Sequence, residues 1–137
     1  MDIKSYTDKF NRDEGRIIAI DFDGVIHNHD KGFYDGTIYG EPISGSIESL
    51  KLLSKMGFII KIFSCKCHPD RPLIDKKNGK ELITDWLQKH AVLQYIDEVV
   101  WGKPHALIYI DDKGYRFKNW NDTIKFMENI KWLMRIT

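Results

Sequence analysis

Two carboxylates, Asp21 and Asp23, stand one residue apart at the end of the apolar run 17–20, and Gly24 follows at once. Carboxylates that close repel each other, and each loses hydration where it is buried. Such a pair needs a cation beside it or an open edge around it. Three further groups stand at the ends of apolar runs in the same way: Ser64, then Lys103, then Asp111 with Asp112. Gathered together, these are carboxylates, a hydroxyl and an ammonium, with no nitrogen or sulfur ligand among the acidic set. A hard, oxygen-loving divalent cation such as Mg²⁺ suits those donors, and a substrate phosphate is a natural further ligand.

The elements that must position them are legible in the hydropathy. Apolar runs over 16–20, 58–63, 98–101 and 106–110 are rich in Ile and Val and mostly continuous. That is the pattern of strands covered on both faces, as in a parallel sheet. Lys61 interrupts the second run and reads as a side chain snorkelling near an edge. Helical spacing recurs over 46–56, 80–90 and 121–134. Gly57 stops the first of these helices, Asn121 caps the last, and Ile124, Met127, Ile130 and Met134 form its apolar stripe. Segments 23–42 and 66–79 read as loops or hairpins. Alternating strands and helices predict an α/β fold: one Rossmann-like open parallel sheet with helices on both faces, in a single domain over 1–137. Ligands of such sheets bind beyond the carboxyl ends of the strands, where the chemistry-bearing residues fall.

Composition sets the bounds. The 137 residues suffice for one sizeable core, and the 42% hydrophobic and 30% charged fractions are those of an ordinary globular chain. A formal charge of +1 gives no electrostatic footprint for tight nucleic-acid or membrane binding. No apolar run approaches a membrane span. The polar N-terminal stretch lacks a signal-peptide core, and Cys65 and Cys67 are too close together to staple a fold, so a cytoplasmic protein with reduced thiols is expected.

Asp21-Phe22-Asp23-Gly24, the strand-end Ser64, Lys103 before Pro104, and Asp111-Asp112 after Ile-Tyr-Ile resemble the four motifs of the haloacid dehalogenase (HAD) superfamily, in the family's order. The resemblance spans residues 17–112. It implies a HAD-like fold and a Mg²⁺-dependent phosphomonoester hydrolase. In that family pattern Asp21 is the nucleophile that forms an aspartyl-phosphate, and Asp23 is the general acid and then the general base, its backbone carbonyl also binding Mg²⁺. Ser64 hydrogen-bonds the phosphoryl group, beside Gly24 and Cys65 in the substrate site. Lys103 offsets the charge there. Asp111 and Asp112 serve the metal, Asp112 directly and Asp111 through water or as an orienter, a division the residues themselves leave open. The segments after the first motif and before the last are too short for a folded insert, so the chain resembles small, capless, phage- and bacteria-like members. An open site of that kind needs a large substrate, a homo-oligomeric partner or a mobile loop to exclude water. The substrate is a phosphorylated small molecule or a polynucleotide end. A non-catalytic binding protein on the same fold is the alternative of a different class.

Other residues admit plainer readings. Asp-Asp-Lys-Gly is also good turn chemistry. Cys65, Cys67 and His68 lack the second cluster a zinc site needs. His27 and His29 contact substrate or face water. Phe33, Tyr34 and Tyr39 form a lid or pin their loop to the core. Phe117 and Trp120 anchor the approach to the last helix.

Overall fold

The computed structural model describes residues 14–134; the polar stretch 1–13 lies outside them. Among these residues the architecture is a small α/β fold with a four-stranded, all-parallel sheet and three α-helices. Strands β1 (Ile17–Asp21), β2 (Ile59–Phe63), β3 (Glu98–Val100) and β4 (Ile108–Ile110) stand in the order β3-β2-β1-β4. The β-branched residues of the predicted runs supply them. The helices are α1 (Ser46–Lys55), α2 (Gly79–Lys89) and α3 (Trp120–Met134).

Register decides which strand residues enter the core. Ile18 and Ile20 lie opposite Ile60 and Ile62. With Leu50 of α1 and Ile83, Trp86 and Leu87 of α2 they make the main hydrophobic cluster. The opposite face holds a small cluster of Ala19, Phe63 and Ala106, to which no helix residue belongs. None of the residues of α3 is buried, and Ile124 and Met127 of its stripe are each half exposed. Among the described residues α1 and α2 thus pack on one face of the sheet, while α3 adds no residue to either cluster. Lys61 fits this arrangement. It sits on β2, between β1 and β3, and its Nζ reaches Glu98 at 3.1 Å and Asp97 at 3.3 Å. The charge is tolerated inside the sheet, and not near an edge, because these two carboxylates pair with it.

The helix ends follow local chemistry. Gly57, at φ 99°, takes the left-handed conformation that ends α1, as expected. At α2, Asn78 Oδ1 accepts from Glu81 N at 2.8 Å and Glu81 Oε1 accepts from Asn78 N at 3.1 Å, a reciprocal capping box. At α3 the cap is Asn119, which accepts from Asp122 N at 2.8 Å, and not Asn121. Asn119 is the asparagine with an acidic residue three positions on, and that partner satisfies its side-chain amide as well, at 3.1 Å.

From β1 the chain steps to β2 and then β3 on one side, and β4 returns to pair on the other side of β1. The order reverses between β1 and β4. That point is where an open parallel sheet leaves a crevice. Asp21 ends one of the two strands, and Asp111 and Asp112 directly follow the other.

Candidate active site

Asp21, Asp23, Gly24, Cys65, Lys66 and Asp112 line one cavity of about 840 Å³ together with Asn28, His29, Phe33 and Arg71. Two aspartates of β1 and its turn thus meet one from the end of β4. Gly24 makes the meeting possible. Its φ is +85°, and a Cβ there would lie 2.3 Å from Asp112 Oδ2, so a larger residue would be strained and would displace that carboxylate.

The environment drives Asp21 and Asp23 apart. Burial, then the Asp112 carboxylate, raise the Asp21 pKa to about 6 against the pull of the Phe22 amide, with Asp23 and Asp111 adding to the rise. Burial also presses Asp23 upward, but hydrogen bonds from His27 and Lys66 and the Lys66 charge outweigh it and hold this carboxyl below its ordinary value. His27 Nδ1 lies 2.9 Å from Asp23 Oδ1, and Lys66 Nζ donates to Oδ2 at 2.6 Å.

Both partners are buried. His27 has no exposed surface; its ring stacks on Phe22 and meets Trp86 edge-on. Its Nε2 accepts from Gly40 N at 2.8 Å. A backbone amide can only donate, so the ring proton sits on Nδ1, facing Asp23. Trp86 donates to Gly40 O at 3.0 Å and ties this hairpin to α2. His27 therefore faces neither water nor substrate, while His29 lines the cavity. Tyr39 pins the loop: its hydroxyl accepts from Lys31 N at 2.9 Å and donates to Gly32 O at 2.8 Å.

Lys66 lies in a short 3-10 turn, Cys65–Cys67, that Ser64 begins. Ser64 is buried, and its Oγ accepts from Lys66 N at 3.1 Å. The hydroxyl that the family resemblance assigns to the phosphoryl group thus orients the turn that carries the lysine. Residue type and spacing alone do not single out Lys66. Its one signal is position, two residues after a strand-end serine that can cap a turn.

Lys103 lies elsewhere. Its Nζ donates to Asp111 Oδ2 at 3.2 Å and sits over the Tyr109 ring, 5.2 Å from the centroid, beside a separate depression. Asp111 is occupied on its other oxygen by the amides of Lys113 and Gly114. Those amides, against a small desolvation and with help from Lys103, hold its carboxyl below the ordinary range. Asp111 builds the turn, and Asp112 faces the cavity. Phe117 and Trp120 pack on one another at 5.4 Å yet stay exposed.

Asp23, His27 and His29 form a candidate metal-binding triad, with one ligand atom of each within 4.8 Å of the others. The hydrogen bonds oppose a metal on His27. Coordination at Nδ1 would move the ring proton to Nε2, against the Gly40 N–H. The oxygen donors of Asp21 and Asp112 are the better fit to a hard cation: no side-chain hydrogen bond satisfies either carboxylate among the described residues, and their mutual repulsion is what a cation would relieve. Cys67 shows no sign of a thiolate site, since burial pushes its thiol up to about 11.

No protein-family model, curated protein or solved structure matches the chain. No helix among the described residues is long and apolar enough to cross a membrane.

Proposed function

We propose that this chain is a HAD-like, capless, Mg²⁺-dependent phosphomonoester hydrolase that works through an aspartyl-phosphate on Asp21. The observation that carries the reading is the pairing of Asp21 with Asp112 in one cavity at the switch point of a parallel sheet, two carboxylates with no side-chain cation between them. Asp21, Asp112 and the Asp23 backbone carbonyl would hold Mg²⁺, which when bound supplies charge neutralisation for a dianionic ester approaching an anionic nucleophile.

The chain's own residues do the rest. An Asp21 oxygen attacks phosphorus, the ester P–O bond breaks, and the leaving oxygen takes its electron pair and a proton from Asp23. Water then attacks the same phosphorus and loses a proton to Asp23, and the bond to Asp21 breaks to restore the carboxylate. His27 and Lys66 hold Asp23 in place and favour its ionised form, which suits the second step. Lys66 adds positive charge at the cavity wall, the part the family pattern gives to Lys103. Lys103 acts here on the Asp111 turn.

Turnover of phenyl phosphate with Mg²⁺ tests the reading. Activity that EDTA abolishes, Mg²⁺ restores and Asp21→Asn eliminates in a folded protein supports it. A folded wild-type protein inert towards phenyl phosphate and a panel of phosphorylated metabolites and oligonucleotides would leave the binding-protein alternative.

A further inference from the structure

We propose that the same cavity holds, beyond the scissile phosphoryl group, a site for a second anionic group on the leaving moiety, built on Arg71; the proposal rests on the hydrolase reading for which phosphoryl group is cleaved. Lys61, Lys66, Lys77 and Lys103 each pair with a carboxylate. Arg71 lines the catalytic cavity and enters no ion pair among the described residues. Its guanidinium is nevertheless held. It lies 5.2 Å from the centroid of Phe33, whose ring also lines the cavity. Its backbone amide donates to His68 O at 3.1 Å, and Pro72 follows.

A planar fork of donors matches a carboxylate or phosphate through two parallel hydrogen bonds. Placed over an aromatic ring it has already lost part of its freedom, so an anion binds at lower entropic cost. Arg71 and Phe33, with Lys66, also border a second cavity of about 200 Å³, so all three line both. Asp30 lines the main cavity and opposes an anion; Lys113, also in its lining, favours one. A neutral leaving group would give the Arg71 fork nothing to bind. The substrate class is therefore a phosphomonoester whose alcohol bears a further carboxylate or phosphate.

The experiment compares matched esters with Mg²⁺: 3-phosphoglycerate against glycerol 1-phosphate for a carboxylate, and adenosine 3′,5′-bisphosphate against adenosine 5′-monophosphate for a phosphate. The wild type should favour the more anionic member of at least one pair by about 10-fold or more in kcat/KM, the size of a charge-assisted hydrogen bond. Arg71→Gln should bring that ratio close to one. Ratios near one in the wild type, or a preference that Arg71→Gln retains, overturn the proposal. If none of these esters nor phenyl phosphate is turned over, the hydrolase reading fails on its own. Calorimetric titration of the same compounds then decides the anion site. Tighter binding of the more anionic member, lost in Arg71→Gln, supports the site, and equal or absent binding overturns it.

Discussion

Lys66 Nζ meets Asp23 Oδ2 at 2.6 Å, with the lysine side chain only 6% exposed and the aspartate 21%. A buried ammonium survives only beside a compensating charge, and a buried carboxylate likewise. Each group is therefore a condition for the other. Lys66→Met removes the cation and leaves the carboxylate, so it should destabilise the fold by about 3 kcal/mol, the usual cost of breaking a buried pair from one side. Adding Asp23→Asn should recover much of that loss. Urea unfolding of the four proteins in the cycle measures the coupling. A Lys66→Met protein as stable as wild type would mean that the pair does not form in solution.

Asp21 gives a pH dependence of the opposite kind to that of a salt-bridged aspartate. Its carboxyl titrates at about 6 in the folded chain against 3.8 for the free group, because of burial first and Asp112 second. Between those values the native state keeps a proton that the unfolded state has released. Stability of the metal-free protein therefore falls as pH rises through this window and stays lowered above it. Asp21→Asn removes the effect. Its melting temperature should match the wild type near the lower value, rise above it through the window, and hold a constant lead beyond. The lead is modest because Asp21 is only partly buried. Under the hydrolase reading, saturating Mg²⁺ should erase it. A lead that is independent of pH would assign the gain to something other than charge.

How far the sequence foretold this site depends on which force places each residue. Asp21, Asp111 and Asp112 were legible because strand ends can be read from hydropathy, and a parallel sheet brings such ends to one edge. The continuous Ile runs gave the strands for the same reason. Lys66 was not legible, since a lysine between two cysteines reads as surface until Asp23, 43 residues earlier, is known to face it. His27 was left open for a similar reason: its burial depends on Phe22, Trp86 and Gly40 arriving together. Lys103 was expected among the cavity residues from its place in the motif order. Its actual partner, Asp111, is set by how the turn after β4 folds back, which spacing does not encode.

Gly79 is a test of how the turn is seated. A Cβ at this first residue of α2 would lie 1.7 Å from the Lys66 carbonyl oxygen, far inside contact distance. Backbone is on the other side, so nothing flexible can give way. Gly79→Ala should therefore destabilise the fold by about 2 kcal/mol, although alanine is the better helix former. It should also push the Lys66 turn away from Asp23 and, under the hydrolase reading, lower turnover of unactivated esters more than of aryl phosphates. Unfolding curves and the two rates check this. A stabilised variant would show that helix and turn are not in contact.

The last prediction divides the labour of the paired aspartates after β4. Asp111 spends one oxygen on the amides of Lys113 and Gly114 and the other on Lys103, which leaves little for a metal. Asp112 leans over Gly24 into the cavity beside Asp21. Under the hydrolase reading Mg²⁺ binds the folded state alone and should raise the melting temperature, with a gain of about 2.7 kcal/mol at one hundred times Kd. Asp112→Asn should keep most of the metal-free stability and lose the Mg²⁺-dependent rise. Asp111→Ala should do the reverse. It forfeits the turn's hydrogen bonds at about 1 to 2 kcal/mol and melts earlier without metal, yet Mg²⁺ still raises its melting temperature at a higher Kd. Thermal melts of the three proteins across a Mg²⁺ series separate the roles. If Asp111→Ala abolished the metal response while Asp112→Asn left it whole, the direct ligand would be Asp111 and the Asp112 carboxylate would serve only to shape the cavity.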